Sequence, residues 1–418
     1  MSRRFFLYSS FFLVLLLCGA SFSWGYFTQS REIFPHSLIL RIAGKMPPAV
    51  MVPANAVDPD DLAALSALGY YEGTYDQNAD RQGVLIHDPA AASPGLNLYY
   101  SWKKPGAQLL TMEGEVVHRW SADDTIWGHV EPLQDGGVLV TSKFEYLRRL
   151  SRDSEILWTL PGGFHHALWL EGDRVWAIDR VDRIEADIHD DVPVFSEEIV
   201  AVSMDGEELE RHSVLDMLRG TPHAHLIPSL RHREFRDALV IDPLHANHVE
   251  VFDGSQAHHS PLFAKGNLLI GLRHLNLAMI VDGRTFKAIW VWGPVTLTRP
   301  HHPSSVEGGR ILVFNNGLQE SEILELEPET HQVVWSYAPG ESFFTEFMGS
   351  VQRLPNGNTL ITESGKGYVF EIDREGKTVW QFANPDVDEE GVRAAIWRMS
   401  RYAPGELPFE SVPGDDGS

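Results

Sequence analysis

Short apolar runs separated by polar turns recur along the chain from about residue 83 onward. One recurring unit is a polar turn followed by apolar residues and usually a Trp, as in residues 112–120 (MEGEVVHRW). Six copies of this unit occur, and the last three Trp residues, Trp290, Trp335 and Trp380, are spaced 45 residues apart. Short apolar runs bounded by Gly, Asn and Asp turns are typical of β-strands and hairpins. The pattern therefore predicts a β-rich chain built from repeats.

A second unit lies between copies of the first: an apolar residue, a Gly turn and a strand rich in Leu or β-branched residues. Residues 133–140 (LQDGGVLV), 306–313 (VEGGRILV) and 354–361 (LPNGNTLI) are examples. Repeats of about 40–50 residues, each a small antiparallel sheet, are typical of β-propellers. We therefore expect an all-β, six-bladed β-propeller over residues 83–400 and a C-terminal tail at 401–418. A solenoid is the alternative, but it would show shorter and more regular periods.

The N-terminus has a different pattern. Two arginines precede an apolar stretch of 23 residues, 5–27, without a charged side chain. This length is enough to cross a bilayer about 30 Å thick, so residues 1–28 are predicted to be a transmembrane anchor. A cleaved signal peptide is the alternative, because residues 19–21 are small. With the arginines in the cytoplasm, the rest of the chain is predicted to be periplasmic or otherwise extracytoplasmic. Residues 29–82 are predicted to be a linker with short helices.

The composition restricts the partners of the chain. The 58 acidic and 34 basic residues give a formal charge of −24. This charge argues against nucleic acid as a partner, because phosphates require a basic surface. An anionic small molecule would need local cations supplied by a few His, Arg or backbone groups. The 19 His residues are therefore the candidates to follow.

Several His residues keep a fixed position in the repeat. His129, His166 and His302 each lie four residues before the apolar residue that opens the second unit, and His259 has the same relation to Phe263. The final blade has Ser350 at this position. A position repeated just before an inner strand should face the propeller axis, so we expect several imidazoles in one central funnel.

Two chemistries are open for such a funnel. Neutral imidazoles bind transition metals, and Glu131, Asp242 and Glu250 are carboxylates that could assist. Alternatively, imidazolium groups and a guanidinium can neutralise a sulfuryl or phosphoryl group. Arg273, at the end of the predicted strand 268–273, is the candidate guanidinium. Composition and spacing do not choose between the two.

The local motifs carry a family resemblance. Residues 242–250 (DPLHANHVE) resemble the His-x-Asn segment of the arylsulfotransferases that need no nucleotide sulfate donor. Residues 266–273 resemble the strand that ends in the catalytic Arg of that family. Residues 300–303 (PHHP) with 311–317 (ILVFNNG) are similar to its nucleophile segment, and residues 164–166 (FHH) to its His-His-Asp segment. The motifs occur in the family's order over about residues 83–385, and the family fold is a six-bladed propeller.

The resemblance implies roles for individual residues. His301 would be the nucleophile, with His302 as the alternative. His245, Arg273 and His166, or His165 in place of His166, would complete the catalytic set. The resemblance and the repeat position together suggest a substrate-binding set: His165, His302, His129 and Asn247. The sequence departs from the family pattern at His302, Ala167 and Asn315, which stand where the family motifs have Asp.

The implied reaction is ping-pong transfer of a sulfuryl group from an aryl sulfate to a phenol through a sulfohistidine. It requires no metal or other cofactor. Trp127, Trp169 and Phe263 are candidates for stacking on the aryl ring. Two alternatives remain: a metal-dependent propeller lyase or hydrolase that uses the same His cluster, and a non-catalytic propeller that serves as an interaction platform.

Overall fold

The computed structural model describes residues 73–122, 125–228 and 241–409, all within one compact unit that spans residues 53–418. In these residues the strands form six antiparallel sheets of four or five strands and one two-stranded sheet. The prediction of an all-β, six-bladed β-propeller is therefore confirmed. The predicted N-terminal anchor, residues 1–28, lies outside the described residues. No helix in the described part of the chain has the length and apolar character needed to cross a membrane.

Blades 2 to 5 each use four consecutive strands, with the first strand innermost. Blade 2 contains β6–β9 (Trp127–Pro132, Val138–Ser142, Tyr146–Leu150, Ile156–Pro161). Blade 3 contains β10–β13 (Gly163–Glu171, Arg174–Arg183, Val194–Ser203, Glu208–Ser213). Blade 4 contains β14–β17 (Ala246–Val251, Leu268–Leu272, Leu277–Asp282, Lys287–Trp292). Blade 5 contains β18–β21 (His301–Val306, Arg310–Asn315, Glu322–Glu327, Gln332–Tyr337).

The two ends of the described chain complete blades 6 and 1. Blade 6 contains β22–β25 (Ser350–Arg353, Thr359–Glu363, Tyr368–Ile372, Thr378–Ala383) and gains β2 (Gly83–His87) at its outer edge. Blade 1 contains the inner strand β27 (Ile396–Tyr402) followed by β3–β5 (Leu96–Ser101, Ala107–Leu110, Val116–Trp120). The strands β1 (Gly73–Tyr75) and β26 (Val392–Ala394) pair with each other. The predicted boundaries at residues 83 and 400 stay predictions; β2 begins at Gly83 and β27 ends at Tyr402.

Helical structure is short in the described residues. The helix α1 (Val214–Leu218) follows blade 3, and Ser213 caps it by accepting a hydrogen bond from the backbone N–H of Asp216. Three single 3₁₀ turns cover Ala224–Leu226, Pro261–Phe263 and Ser364–Lys366.

The apolar runs form cores between blades rather than one central core. Strands such as β15 (LLIGL) are buried along their whole length, because neighbouring blades cover both faces of the sheet. The buried apolar residues of the described chain divide into six clusters, and each cluster joins one adjacent pair of blades. The inner strands are thereby left to line the axis with polar side chains.

The recurring Trp has a structural role that explains its spacing. In five blades its indole N–H donates to a backbone carbonyl in a turn of the next blade, at 2.9–3.3 Å. The five pairs are Trp120 to Gly136, Trp158 to Met204, Trp290 to Pro328, Trp335 to Arg374 and Trp380 to Met112. Blade 3 has His212 on its outer strand instead, and this ring stacks on Phe286 of blade 4. The Trp repeat therefore fixes five of the six blades to the next blade, and His212 has this role in blade 3.

Arg401 connects the two ends of the ring. It lies on β27 and is 3% exposed. Its Nε donates to Asn97 of β3 at 2.8 Å, and its Nη1 forms an ion pair with Glu371 of blade 6 and donates to the carbonyl of Ser93. Both charges of the ion pair are desolvated, so each depends on the other for compensation.

We expect Glu371→Gln to lower the free energy of unfolding by about 3–5 kcal/mol, because it leaves the Arg401 charge buried without a partner. Denaturant-induced unfolding measures the change. The matched control is Arg284→Gln, which breaks a surface pair with Asp282 in which the Arg side chain is 92% exposed. The control should change stability by less than about 1 kcal/mol. Equal effects of the two variants would contradict the proposed importance of the buried pair.

Candidate active site

The inner strands of five blades carry a β-bulge near their first residue. The pairing register shifts beside a basic side chain in each case: His129, His166, His248, His302 and Arg398. The inner strand of blade 6, which begins with Ser350, pairs without a shift. A bulge interrupts the regular alternation of side chains along a strand and re-aims the residues beside it. Two side chains that are adjacent on one inner strand can therefore belong to different clusters of side chains.

The basic side chains form two groups. The strand-start cluster contains His165, His166, His245, Arg273, His274 and His301. The axial cluster contains His129, His248, His302 and Arg398. The residues predicted to be catalytic all belong to the strand-start cluster. Of those predicted to bind substrate, His165 joins the first cluster, whereas His129 and His302 join the second.

The catalytic candidates are brought close together. The ring centres of His166 and His245 are 5.2 Å apart, and those of His245 and His274 are 4.6 Å apart. The backbone N–H of Arg273 donates to the carbonyl of His245 at 3.0 Å, and its Nη1 lies 2.8 Å from Nε2 of His274. Burial lowers the pKa of His301, and the nearby guanidinium of Arg273 lowers it further. One guanidinium and several imidazoles therefore share one small volume.

The tautomer of His301 follows from its hydrogen bonds. Its Nδ1 lies 2.7 Å from Oδ1 of Asn316 and 3.1 Å from the carbonyl oxygen of Arg299. The Nδ2 of Asn316 donates to the carbonyls of Thr345 and Met348, so its Oδ1 must face His301. Two acceptors at Nδ1 place the proton there and leave the lone pair on Nε2.

His301 is also held in its neutral form. Burial is the largest cause, and the charge of Arg273 adds to it, so that the pKa of His301 falls to about 3. The hydrogen bond to Asn316 opposes this shift without reversing it. At neutral pH the ring is therefore a neutral imidazole with an available lone pair.

Asp242 fixes the second imidazole. Its Oδ2 accepts a hydrogen bond from Nδ1 of His245 at 2.6 Å, and its Oδ1 accepts one from the backbone N–H of His245. Burial alone would raise the pKa of Asp242, but His245 and His274 hold it well below its usual range. The carboxylate therefore keeps its charge and holds the proton of His245 on Nδ1, which leaves Nε2 as the lone-pair nitrogen.

Asp242, His245 and His274 are also the described residues that could hold a metal ion, with ligand atoms within 4.8 Å of one another. The donor set suits a transition metal. The guanidinium of Arg273 beside His274 opposes a divalent cation electrostatically.

The pair His165 and His166 extends the cluster toward blade 3. Their Nδ1 atoms are 2.5 Å apart, so one must donate and the other accept. Burial is the main cause that lowers the pKa of both rings well below the ordinary value, and neighbouring imidazoles add to it. His166 also adopts a left-handed backbone conformation (φ 56°), which is uncommon for a non-glycine residue and accompanies the bulge.

The axial cluster lies at the inner end of a cavity of about 1040 Å³. The rings of His248 and His302 are 4.8 Å apart, and Nδ1 of His302 donates to the carbonyl of Val351 at 2.9 Å. Nη1 of Arg398 lies 3.1 Å from Nδ1 of His129. His302 therefore faces a different environment from that of His301, although the two are adjacent in sequence.

Two expectations about individual residues need revision. His259 is exposed beside the turn Pro261–Phe263, so the expectation that it faces the axis is wrong. Trp127 and Phe263 are 1% exposed and packed in cores between blades, which leaves no face for an aryl ring.

Asn247 is buried and its Nδ2 donates to the carbonyl of Pro300, so its contact positions the residue before His301.

Sequence reasoning missed His248 and Arg398, although the repeat contained a signal for both. His248 lies four residues before Phe252, and Arg398 four before Tyr402, the same offset that identified His129. Because of the extra segment between Phe252 and Phe263, the repeat offset in blade 4 was counted from Phe263, and it therefore selected His259 instead of His248. By contrast, the pairing of Asn316 with His301 had no signal in the sequence.

A model of the arylsulfotransferase (ASST) family matches residues 163–385, which is more than half of the chain. The chain belongs to the arylsulfotransferase family. Among solved structures, a protein of unknown function from Bacteroides caccae is 16% identical with a TM-score of 0.49, over 73% of this chain and 98% of that chain. The β-propeller domain of Cps50 (Swd1) from Myceliophteria thermophila is 10% identical with a TM-score of 0.46, over 74% and 91%. No curated protein matches the chain.

This arylsulfotransferase-family chain replaces the carboxylates of its motifs with other orienting groups. In the resemblance drawn from the sequence, His302, Ala167 and Asn315 stand where the family motifs have Asp. Asn316 orients His301 instead, and Asp242 orients His245. The two imidazoles therefore have defined tautomers without the motif carboxylates.

We expect the stability of the protein to fall as the pH drops below about 6.5, the ordinary pKa of His. Seven buried imidazoles have lowered pKa values in the folded chain: His129, His165, His166, His245, His248, His301 and His302. Below pH 6.5 the unfolded chain binds protons that the folded chain does not, at about 1.4 kcal/mol per pH unit and proton. Carboxyl groups whose pKa is raised by burial oppose the trend, but these six are fewer than the seven imidazoles: Glu131 (to about 8), Glu250 (to about 7), Glu197, Glu363, Asp179 and Asp182.

Unfolding in urea between pH 5 and 8 tests this expectation. His248→Leu should reduce the slope of stability against pH, whereas His258→Leu, at an exposed position, should not. A curve that is flat between pH 5 and 6.5 would contradict the neutral state of the buried rings.

Proposed function

We propose that the protein transfers a sulfuryl group from an aryl sulfate to a phenol through a sulfohistidine at His301. The observation that carries this proposal is the neutral, oriented imidazole of His301 beside Arg273. Its proton is held on Nδ1 by Asn316, so Nε2 presents a lone pair, and its pKa of about 3 keeps it unprotonated. A nucleophile with a lowered pKa beside a fixed cation suits attack on an anionic sulfuryl group.

In the first half-reaction, Nε2 of His301 attacks the sulfur of the aryl sulfate. The N–S bond forms as the S–O bond to the aryl group breaks, and the electron pair leaves with the phenolate. In the second half-reaction, the oxygen of the acceptor phenol attacks the same sulfur, the N–S bond breaks, and the phenol proton goes to a base. Loose transition states of this kind depend mainly on positioning and charge.

Arg273 supplies the permanent cation. Its planar guanidinium can donate to two sulfuryl oxygens at once, and it stays charged at every relevant pH. The hydrogen bond from its backbone N–H to the carbonyl of His245 fixes its position relative to the second imidazole. Arg273 therefore stabilises charge on the sulfuryl oxygens while His301 forms the bond.

His245 serves as the proton carrier. Its Nδ1–H is held by Asp242, so Nε2 can accept the proton of the acceptor phenol in the second half-reaction and give it to the phenolate that leaves in the next turnover. The charged Asp242 stabilises the imidazolium that forms in between. His166, whose ring contacts that of His245, completes the polar wall of the site.

Aromatic side chains beside the cluster provide the surface for the aryl ring. The ring of Trp397 is 5.8 Å from that of His166 and stacks on Trp102 at 4.4 Å. Phe144 lies 4.9 Å from His165. We assign the aryl contact to these residues in place of Trp127 and Phe263.

Residues 1–28 support a further part of the proposal, which is that the enzyme is anchored in a membrane and acts on its extracytoplasmic side. The uncharged stretch after two arginines carries this part alone.

We expect His301→Ala to reduce transfer between an aryl sulfate and a phenol by about a thousandfold or more, because it removes the nucleophile. Arg273→Lys should cost about a hundredfold, since it keeps the charge and loses the two-pronged contact. Transfer is measured with the purified full-length chain, and His259→Ala, at an exposed position, is the matched control.

Peptide mapping of the enzyme treated with donor alone identifies the nucleophile. The mass of one sulfuryl group on His301 supports the proposal, and the same mass on His302 would assign the alternative nucleophile. Transfer that survives both His301→Ala and Arg273→Lys would overturn the assignment of the catalytic site.

A metal-dependent reaction is the second candidate, because the ligand atoms of Asp242, His245 and His274 lie within 4.8 Å of one another. Transfer that persists after treatment with a chelator favours the sulfohistidine mechanism. Stoichiometric transition metal in the purified protein, with activity lost when the metal is removed, favours the metal-dependent reaction.

We expect Asn316→Asp to raise the pKa of His301, because a carboxylate then accepts the Nδ1 proton and stabilises the imidazolium. The nucleophile works only when neutral, so the variant should lose activity at acidic pH at which the wild type still reacts. The pH dependence of kcat/KM for the donor measures the shift. The neighbouring Asn315→Asp is the matched control, since Asn315 bonds Thr298 and Glu322 rather than His301. Identical acid limbs in both variants would contradict the positioning role of Asn316.

A further inference from the structure

The cavity of about 1040 Å³ gives the axial cluster an approach of its own. Its lining extends from residues that follow the inner strands, such as Gly172 and Glu307, to the axial cluster at the inner end. Among the described residues that line it, none belongs to the strand-start cluster. The axial cluster is therefore accessible from a side that the proposed transfer reaction does not use.

His248 is the strongest sign of a missing partner in this cavity. It is 3% exposed and lines the inner end, yet neither of its ring nitrogens has a hydrogen-bond partner in the described chain. Buried polar groups are almost always hydrogen-bonded, so an unpaired one beside a cavity indicates a bound group. A neutral imidazole carries one N–H, which gives His248 one donor for such a group.

Arg398 supplies positive charge at the same place. Within the described chain no carboxylate lies at ion-pair distance from its guanidinium, which is 3.1 Å from Nδ1 of His129. Glu131 is close enough to interact electrostatically, but burial raises its pKa to about 8, so it is mostly neutral at pH 7. The inner end of the cavity therefore offers the guanidinium of Arg398 to an anionic group.

We propose that the inner end of this cavity is an oxyanion-binding site in which Arg398 and His248 hold a sulfate or carboxylate group. The guanidinium provides two parallel donors for two oxygens, and the imidazole N–H provides a third donor. His302 and His129 form the walls and stay neutral. Their contacts with the carbonyls of Val351 and His166 keep both rings in place.

Two further charged groups that line the cavity, Glu325 and Arg401, already have partners. Glu325 is held by Arg310, Arg353 and Arg374, and Arg401 is paired with Glu371. The oxyanion site therefore needs no change in these pairs. It is also independent of the proposed sulfuryl transfer, because the two sites share no side chain.

Sulfate titration into the full-length Arg273→Gln variant tests this site, since that background removes the guanidinium of the transfer cluster. Calorimetry should show one sulfate site per chain. Adding Arg398→Gln should lower the affinity for sulfate at least tenfold. Adding Arg374→Gln, which removes an arginine from the same cavity, should change that affinity less than threefold. Equal weakening by both additions, or no binding in the Arg273→Gln background, would overturn the proposal.

Selenate, an analogue of sulfate, locates the bound anion directly. Crystals of the same variant soaked in selenate should give anomalous density between Arg398 and His248, and density elsewhere only would overturn the assignment. Zinc titration tests whether the axial cluster is a metal site instead. Zinc binding that depends on His248 would overturn the assignment of an oxyanion site. Loss of transfer in His301→Ala with sulfate binding retained would separate this site from the proposed reaction.

Discussion

Closure of the ring by its last strand is the constraint on which the rest of the structure depends. β27 pairs with β3 although Arg401 and Asn97, which bond across this pair, are 304 residues apart in sequence. The same short strand places Trp397 against His166 and Arg398 in the axial cluster. Ring closure by β27 therefore also supplies Arg398 to the axial cluster and a ring contact to the strand-start cluster.

The second constraint is the β-bulge near the start of the inner strands. A regular strand would send adjacent residues to opposite faces, toward the two neighbouring blades. The bulge in blade 5 instead places His301 with Arg273 and His302 with His248, so one strand serves two clusters. The backbone accommodates this with a left-handed residue at His302 (φ 48°), a conformation that costs energy and is retained where the surroundings fix it.

Burial resolves the conflict between an acidic chain and the anionic substrate that we propose. The imidazoles at the axis lose their protons because they are desolvated, so they add no charge of their own. The permanent cations are Arg273 in one cluster and Arg398 in the other. The proposed nucleophile, a neutral imidazole beside a fixed guanidinium, does not depend on the charge of −24 over the whole chain, because the interactions that matter act over a few ångströms.

The sequence by itself determined the number of blades, because each blade repeats the same turn and five of the six repeat the Trp contact with the next blade. It also singled out His301 and Arg273 through the order of family motifs. It could not separate the environment of His301 from that of His302, nor place His248, nor find Asn316 as the partner of His301. Those features arise from bulges and from contacts between blades, which are set by pairing across the sheet. Local patterns specify strands and turns, whereas only the closed ring decides which side chains meet at its axis.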